Sequence, residues 1–229
     1  MLENLKTDVC EANFELKRNN LIIYSWGNVS GIDRDKGIVA IKPSGVSYDT
    51  LSPDDIVLLD LEGTIVEGKL DPSTDTPTHL EIYRNFLNIG GVCHTHSLNA
   101  TIWAQACRSI PCLGTTHADY FYGSIPVTSL MTDDQIATSY ELNTGRVIVE
   151  TFKQLDPDQM PAVLVANHGP FTWGKTPAKS VESAVVLEQV AQMALKTAAI
   201  KPELPPISKT LLDKHYLRKH GRDAYYGQG

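Results

Sequence analysis

An apolar run that ends in two histidines occupies residues 89 to 97, Ile-Gly-Gly-Val-Cys-His-Thr-His-Ser. The run is typical of a β-strand. If it stays extended through His96, side chains alternate between faces, so His94 and His96 point the same way, about 6.5 Å apart. Two imidazoles on one strand face can bind one metal ion, although a lone pair of histidines is more often hydrogen-bonded or on the surface.

A third histidine stands in a matching setting. The run Val-Leu-Val-Ala-Asn-His-Gly-Pro covers residues 163 to 170, and its strand-like part, residues 162 to 166, leads to His168. We expect Gly169 and Pro170 to stop this strand. Three neutral imidazoles with one coordination position left open are typical of a catalytic zinc site rather than a structural one.

Composition and charge limit the class of protein. The chain has 229 residues, of which 42% are hydrophobic and 21% charged, with a formal net charge of −7. This length and the mixed α/β pattern fit one domain with one core. The acidity argues against nucleic acid as a partner, and the most apolar helix, around residues 184 to 195, is too short to span a membrane. We see no secretory signal and no Cys-x-x-Cys pair among the four cysteines, so we expect a reducing cytoplasm.

Three long helices are predicted from apolar spacing and capping residues. The first begins near Leu2, has apolar residues every three or four positions, and is ended by Asn19-Asn20. The other two open with the pairs Thr76-Pro77 and Thr176-Pro177 and run to about residues 86 and 200. Ser97 and the capping-box pattern from Thr132 predict two further, shorter helices.

Short β-rich segments predict the strands of the sheet. Besides the two histidine-bearing runs, they lie at residues 21–24, 38–42, 56–60, 64–67 and 147–150. The first four are separated by few residues, mostly Gly, Asp, Ser and Pro. Such short spacing favours antiparallel neighbours over βαβ crossovers.

Two polar loops are suited to an anion. Lys42-Pro-Ser-Gly45 offers an ammonium, a hydroxyl and accessible backbone N–H groups, and Pro72-Ser-Thr-Asp-Thr-Pro77 precedes a helix N-terminus. Segments of both kinds are mostly ordinary turns and caps, so a purely structural role stays open for each. The same two alternatives hold for Trp26-Gly-Asn28, where Asn28 could bond a substrate.

Two carboxylates are candidates for metal or proton chemistry. Asp75, at a loop–helix junction, could be a fourth metal ligand, an orienter of a histidine, or simply a helix cap. Asp119, between Ala118 and Tyr120, could be a partly desolvated general base or an exposed loop acid. For the nearby His117 we prefer a hydrogen-bonded loop histidine over a metal ligand.

The tail from Lys214 to Gly229 is rich in His, Lys, Arg and Tyr. His215 and Tyr226 offer proton donors there. Its basic residues, Arg218 and Lys219 with His220, fit a solvated basic face, and the residues alone leave both possibilities open.

Taken together, these motifs resemble the class II aldolase and adducin family, and most closely its L-ribulose-5-phosphate 4-epimerase branch. The resemblance runs nearly end to end, through residues 25–30, 41–45, 73–79, 94–96, 114–120, 168–175, 219–221 and 224–228. Two positions depart from the branch: Ser25 stands where Thr is usual, and Thr74 where a second Ser is usual. Thr keeps the hydroxyl, so we expect phosphate binding to survive.

The resemblance implies a fold and an assembly. The fold is three-layer α/β/α around a largely antiparallel central sheet, formed by residues 1–229 as a single domain whose tail, residues 213–229, contributes to the active site. The assembly is a homotetramer with active sites at subunit interfaces.

The resemblance also implies a role for each matching residue. The metal ligands are His94, His96 and His168, with Asp75 as the fourth. The phosphate and substrate site is formed by Gly27, Asn28, Lys42, Ser44, Gly45, Ser73 and Thr74. Asp119 and Tyr226 are the acid/base pair, and His215 reaches a neighbouring subunit's site.

The chemistry implied is an epimerisation of a sugar phosphate at carbon 4 by metal-assisted retro-aldol and aldol steps, with Zn²⁺ as the ion and Mn²⁺ or Co²⁺ as possible substitutes. Two acid/base groups on opposite faces are needed, because the hydroxyl on carbon 4 loses its proton on one side and regains it on the other. A class II sugar-phosphate aldolase and a non-catalytic, adducin-like assembly module are the alternatives. The pathway, for arabinose, ascorbate or another pentose-yielding sugar, stays open.

Overall fold

The computed structural model describes residues 2–226, which fold around one seven-stranded sheet. Its strands are β1 (Asn28–Asp33), β2 (Ile38–Ile41), β3 (Val57–Asp60), β4 (Ile65–Glu67), β5 (Gly91–His94), β6 (Ala162–Leu164) and β7 (Pro170–Gly174). The spatial order is β4-β3-β2-β1-β5-β7-β6, and each neighbouring pair is antiparallel. The antiparallel arrangement expected from the short connections is confirmed.

Helices precede, interrupt and follow the strands. They are α1 (Leu2–Arg18), α2 (Thr76–Asn85), α3 (Leu98–Gln105), α4 (Thr115–Ala118), α5 (Asp133–Thr151), α6 (Pro177–Ile200) and α7 (Lys209–His220). The predicted Thr-Pro start of α6 is confirmed: the Thr176 side chain accepts a hydrogen bond from the backbone N–H of Lys179, and Pro177 opens the helix. The capping box at Thr132 is also present, at the start of α5.

The helices cover both faces of the sheet and so form three layers. On one face, α1 and α6 pack around Val29 and Cys93. On the other face, α2 and α5 pack against each other and around Ile32 and Val92. Val92 and Cys93 are consecutive residues of β5, so the alternation of a strand explains why they enter different layers. The α/β fold with a central antiparallel sheet is confirmed.

Two predicted strands are wrong. Residues 21–24 form an irregular connection without a strand partner, in which Leu21 is buried but Ile23 and Tyr24 are exposed. Residues 147–150 belong to α5, where Val147 and Ile148 are buried. Packing of α5 on α2 overrides the weak local β preference of this run.

Two strands and two helices, α4 and α7, were not predicted. β1 begins at Asn28, where the sequence suggested only a turn, and β7 begins at Pro170, where we expected a strand to stop. β5 ends at His94 rather than continuing through His96. The tail forms α7, and the end of its motif, Gly227-Gln228, lies outside the described residues.

The register of the central strands positions the candidate site. His94, the last residue of β5, lies opposite Asn28 of β1 on one side and opposite Phe171 of β7 on the other. His168 lies just before β7, in the turn that follows β6. The sheet therefore brings residues 28, 94 and 168 together from distant parts of the chain. Within residues 2–226, no helix has the combination of length and apolarity needed to cross a membrane.

Candidate active site

One cavity of about 560 Å³ opens where β1 begins and β5 ends. The turn before β7, the loop after β2 and the residues before α2 also reach its wall. The residues that the sequence analysis assigned to metal or substrate binding all line it: Gly27, Asn28, Lys42, Ser44, Gly45, Ser73, Thr74, Asp75, His94, His96 and His168. Elements from five regions of the chain thus converge on the candidate active site.

His94 is buried and held in one orientation. Its Nδ1 donates a hydrogen bond to the carbonyl oxygen of Pro170 at 3.0 Å. Because a carbonyl only accepts, the proton lies on Nδ1 and Nε2 keeps its lone pair. The ring of Phe171 stacks on that of His94, with centroids 4.2 Å apart. An imidazole fixed in this way presents Nε2 as a ligand.

His96 and His168 add two imidazoles to that of His94. The Nε2 atoms of His94 and His96 are 3.1 Å apart, and the ring of His168 has its centroid 4.8 Å from that of His94. One ligand atom from each of the three residues lies within 4.8 Å of the others. Asn167, in the turn before His168, has a φ of 60°, which Asn tolerates better than most side chains.

The chemistry of this donor set fits a divalent metal ion. Burial first, and then the neighbouring His94, lower the pKa of His168 to about 3, and the same two causes lower the pKa of His96. The imidazoles of His96 and His168 are therefore neutral, which is the form that coordinates a metal. Three imidazole nitrogen donors directed at one another are the ligand set of an open zinc site.

Asp75 lies beside the three histidines and does not cap α2. It precedes the helix, but its side chain makes no capping hydrogen bond, and its Oδ2 accepts from Asn28 Nδ2 at 2.7 Å. Burial raises the pKa of Asp75, but His94, His79 and the Asn28 hydrogen bond outweigh burial and hold the pKa below its ordinary value. Within residues 2–226, the group of ligand atoms that lie within 4.8 Å of one another contains the three histidines without Asp75. Its place as a fourth ligand stays a prediction.

Lys42 supplies a buried ammonium to the same cavity. The residue is 2% exposed, and its Nζ donates to the carbonyl oxygen of Pro43 at 3.1 Å. Among the ion pairs formed within residues 2–226, none includes Lys42. Burial lowers the pKa of Lys42 to about 8. An ammonium so poorly compensated favours an anionic ligand.

Asn28 and Ser73 complete the polar wall between Lys42 and the histidines. The Nδ2 of Asn28 donates to Ser73 Oγ at 3.0 Å, and the backbone N–H of Asp75 donates to the same oxygen at 3.3 Å. The hydroxyl proton of Ser73 therefore remains available as a donor. The Oδ1 of Asn28 is buried and, within the described residues, has no hydrogen-bond partner. The wall therefore offers a ligand one donor, the Ser73 hydroxyl, and one acceptor, the Oδ1 of Asn28.

Glycine is required at position 27. Gly27 has a φ of 112°, and a Cβ there would lie 2.8 Å from the carbonyl oxygen of His94. The close approach of this loop to β5 also brings the ring of Trp26 to 6.4 Å from that of His96. On the other side of the cavity, Gly45 has a φ of 69°, the left-handed conformation that favours glycine.

Asp119 lies in a different cavity of about 510 Å³, which shares no lining residue with the first. Its carboxylate accepts two hydrogen bonds from the Arg218 Nη2, at 2.8 and 3.0 Å, and one from His215 Nδ1 at 3.1 Å. Burial raises the pKa of Asp119, but the hydrogen bonds from Arg218 and His215 outweigh it and the pKa lies below its ordinary value. Asp119 is thus a fixed carboxylate and not a free loop acid.

Tyr226 belongs to this second group of residues. It lines the same cavity as Asp119, and the Arg218 guanidinium lies 4.4 Å from the centroid of its ring. In the described part of one chain, Asp119, His215 and Tyr226 therefore come together with each other but do not reach the cavity of the three histidines. His117 donates through Nε2 to the carbonyl oxygen of Gly123 at 2.8 Å, so the expected hydrogen bond is present, but the residue lies in α4 and not in a loop.

Two functional candidates were not singled out by sequence. The sequence around Arg218 is typical of a solvated basic face, yet Arg218 pairs with Asp119, and its place in the pattern of α7 gives no signal of that partner. Tyr140 has its hydroxyl 3.5 Å from His168 Nδ1. It follows Ser139, where α5 is interrupted by a non-helical residue that no capping or proline signal foretells.

The fold and the three-histidine site define a class of protein. The sequence pattern of the Class II Aldolase and Adducin N-terminal domain matches residues 7–195, and the chain belongs to this family. The match ends before α7, so the Arg218–Asp119 contact joins the matched region to a segment beyond it.

Particular relatives match the tail as well. The chain is 51% identical over 227 residues to the L-ribulose-5-phosphate 4-epimerase UlaF of Salmonella typhi, which covers 99% of this chain and 100% of that protein. Among solved structures, an L-fuculose 1-phosphate aldolase is similar with a TM-score of 0.75 at 24% identity, over 91% of this chain and 92% of that one. The L-fuculose-1-phosphate aldolase of Thermus thermophilus has a TM-score of 0.66 at 25% identity, over 89% and 98%. These structures share the fold.

Proposed function

We propose that this protein is an L-ribulose-5-phosphate 4-epimerase, which interconverts L-ribulose 5-phosphate and D-xylulose 5-phosphate. The observation that carries the proposal is the cavity in which three imidazoles and a buried ammonium face the same space. One end suits a metal ion that binds the ketose, and the other suits the phosphate. The identity to L-ribulose-5-phosphate 4-epimerases along the whole chain supports the same activity.

We assign His94, His96 and His168 as the ligands of Zn²⁺, with Mn²⁺ or Co²⁺ as possible substitutes. When bound, the ion would stabilise the negative charge that develops on the ketose oxygens as the bond between carbons 3 and 4 breaks. The Pro170 carbonyl oxygen keeps His94 in the ligand tautomer. Asp75 is the proposed fourth ligand, and its carboxylate also offsets positive charge beside the three histidines.

The phosphate end is the wall around Lys42. We propose that the phosphate is held by the ammonium of Lys42, the hydroxyl of Ser73, the side chain of Thr74, and the residues Ser44 and Gly45. The site must keep the phosphate bound throughout the reaction, because the aldehyde fragment that carries it turns its carbonyl face before the carbon–carbon bond forms again. The Nδ2 of Asn28 donates to Ser73, and its Oδ1 has no partner within the described residues. This Oδ1 can therefore accept a hydrogen bond from a sugar hydroxyl.

Asp119 and Tyr226 are the proposed acid/base pair. The carboxylate accepts the proton of the carbon 4 hydroxyl on one face, and the phenol returns a proton on the other. Arg218 and His215 keep Asp119 ionised and oriented. Since this pair lines a separate cavity within one chain, we propose that it acts on substrate held by a neighbouring subunit of a homotetramer.

The remaining assignments concern the whole chain. We propose that residues 1–229 form one domain and that the tail, residues 213–229, completes an active site through His215 and Tyr226. The four cysteines, Cys10, Cys93, Cys107 and Cys112, are free thiols, which suits the reducing cytoplasm that we propose for the protein.

A sugar-phosphate aldolase is the second candidate, because the fold is shared with L-fuculose 1-phosphate aldolases. In the aldolase branch a Glu acts as base near the position of Asp75, and Asp here favours the epimerase. The test is product analysis after incubation of the metal-loaded protein with L-ribulose 5-phosphate. D-Xylulose 5-phosphate, formed only without a chelator, supports the proposal. Release of free cleavage fragments would show that the protein is an aldolase. Absence of any reaction would favour a non-catalytic assembly module.

A further inference from the structure

Glu188 is a buried carboxylate on α6 that lines neither of the two cavities. It is 8% exposed. It accepts from the backbone N–H of Asn99 at 2.8 and 3.1 Å and from that of Ala100 at 3.0 Å. The Asn99 side chain donates a further hydrogen bond at 2.6 Å. Glu188 thus binds the first turn of α3 from another helix.

The local sequence gives α3 no side-chain cap. Ser97 occupies the N-cap position, but its side chain makes no capping hydrogen bond. First-turn N–H groups have no partner within their own helix, and a carboxylate beside them also meets the positive end of the helix dipole. Glu188 therefore supplies the cap that Ser97 does not.

The start of α3 determines where His96 lies. β5 ends at His94 and α3 begins at Leu98, so a link of three residues carries His96 between them. His94 is fixed by the sheet and by the Pro170 carbonyl oxygen, whereas His96 is exposed. The position of this ligand consequently depends on both ends of the link, and Glu188 fixes the second end.

The far end of α3 contacts the turn that carries His168. The backbone N–H of Asn167 donates to the carbonyl oxygen of Ala104 at 3.0 Å. Trp103 of α3 donates through its ring nitrogen to the carbonyl oxygen of Ala191 on α6, also at 3.0 Å. The contact between α3 and α6 therefore supports two of the three imidazoles.

We propose that Glu188 is a positioning residue: by capping α3 it sets the places of His96 and His168 and thereby the affinity of the three histidines for a metal ion. The inference rests on the proposed function, in that the histidines bind an ion. Gln has nearly the same shape as Glu, but it has one acceptor oxygen, and its NH₂ group would face N–H donors. Loss of outer support for metal ligands typically lowers metal affinity about 10–100-fold.

The test compares full-length Glu188→Gln with the matched variant Glu182→Gln, on an exposed part of α6 where Glu182 pairs with Lys179. Each protein is stripped with a chelator, and its Zn²⁺ affinity is measured by competition with a chromophoric chelator. Hydrogen exchange of the Asn99 and Ala100 amides reports the cap directly. We expect Glu188→Gln to exchange faster at both amides and to bind Zn²⁺ at least about tenfold more weakly, with Glu182→Gln unchanged in both respects.

Faster exchange with unchanged Zn²⁺ affinity would reduce Glu188 to a structural cap and overturn the proposal. If Glu188→Gln does not fold, Glu188→Asp keeps the buried charge but shortens its reach, and the same comparison applies to it. Absence of Zn²⁺ binding by the unchanged protein would overturn the proposed function and this inference together. Equal affinities in proteins that do bind Zn²⁺ would overturn the inference alone.

Discussion

The carboxylate of Asp119 and the guanidinium of Arg218 form a two-oxygen ion pair that joins α4 to α7. The pair keeps Asp119 ionised, as a proton acceptor must be, and it fixes the carboxylate next to His215. It also joins the tail to the rest of the fold, and within the tail the backbone N–H of Tyr226 donates to the carbonyl oxygen of Arg218 at 3.0 Å.

Replacement of this carboxylate tests the proposed base. We predict that Asp119→Asn lowers the turnover number about 100-fold or more while the protein keeps its metal, because an amide cannot accept the proton. Asp213→Asn, which alters a carboxylate on α7 that pairs with Lys209, is the matched control. Steady-state kinetics and metal content are measured on both. Full turnover by metal-loaded Asp119→Asn would remove Asp119 from the mechanism.

The three histidines are tested by metal content. We predict that His168→Asn loses tightly bound Zn²⁺, because two imidazoles remain where three ligand atoms lie within 4.8 Å. His220→Gln, on α7, should retain the metal of the unchanged protein. Elemental analysis after dialysis against a weak chelator distinguishes the two. Retention of stoichiometric zinc by His168→Asn would mean that the metal lies elsewhere.

Lys42 is tested by affinity for the phosphate group. We predict that Lys42→Met raises KM for L-ribulose 5-phosphate by roughly tenfold or more, because a charge-assisted hydrogen bond is lost while the buried volume is kept. Inhibition by inorganic phosphate should weaken in parallel. Lys36→Met, at an exposed lysine, should change neither quantity. An unchanged inhibition constant for phosphate in Lys42→Met would place the phosphate site elsewhere.

The burial of His117 should make the free energy of unfolding depend on pH. Burial lowers its pKa to about 4, so the folded protein holds it neutral while the unfolded chain takes up a proton below about pH 6.5. Stability is therefore complete above about pH 6.5 and falls as the pH drops towards 4. At low pH, His117 lowers the free energy of unfolding by about 3 kcal/mol.

The measurement compares urea unfolding of the unchanged protein and His117→Gln between pH 7 and 4. Gln can still donate to the Gly123 carbonyl oxygen but does not titrate, so the free energy of unfolding should depend less on pH in the variant. If the free energy of unfolding depends on pH equally in the two proteins, His117 is not held neutral in the folded protein.

From sequence, the residues that line the cavity are easier to group than the strands that position them, and their roles in the site stay predictions. The histidines, Lys42 and Ser73 carry recognisable chemistry in recognisable motifs, and they line one cavity. Asn28 and Pro170 begin short strands that are buried along nearly their whole length, so no alternation of apolar and polar residues marks those strands. Residues 147–150 have β-branched side chains, yet burial against α2 makes them helical.

Partners that come from different regions were the least predictable. Arg218 meets Asp119 across about a hundred positions of sequence, and Glu188 meets Asn99 across nearly as many. Both contacts are polar pairs that depend on how α6 and α7 dock. Neither has a signature in spacing or composition, because each residue alone fits a solvated helix face equally well.

We propose that the cavity of the histidines and the cavity of Asp119 serve one reaction across a subunit boundary. The most direct test mixes two inactive proteins, His96→Asn and Asp119→Asn, under conditions that exchange subunits, with exchange verified by native mass spectrometry. We predict that epimerisation of L-ribulose 5-phosphate returns, because some mixed interfaces combine an intact metal site with an intact acid/base pair. Mixed oligomers that form and remain inactive would contradict it.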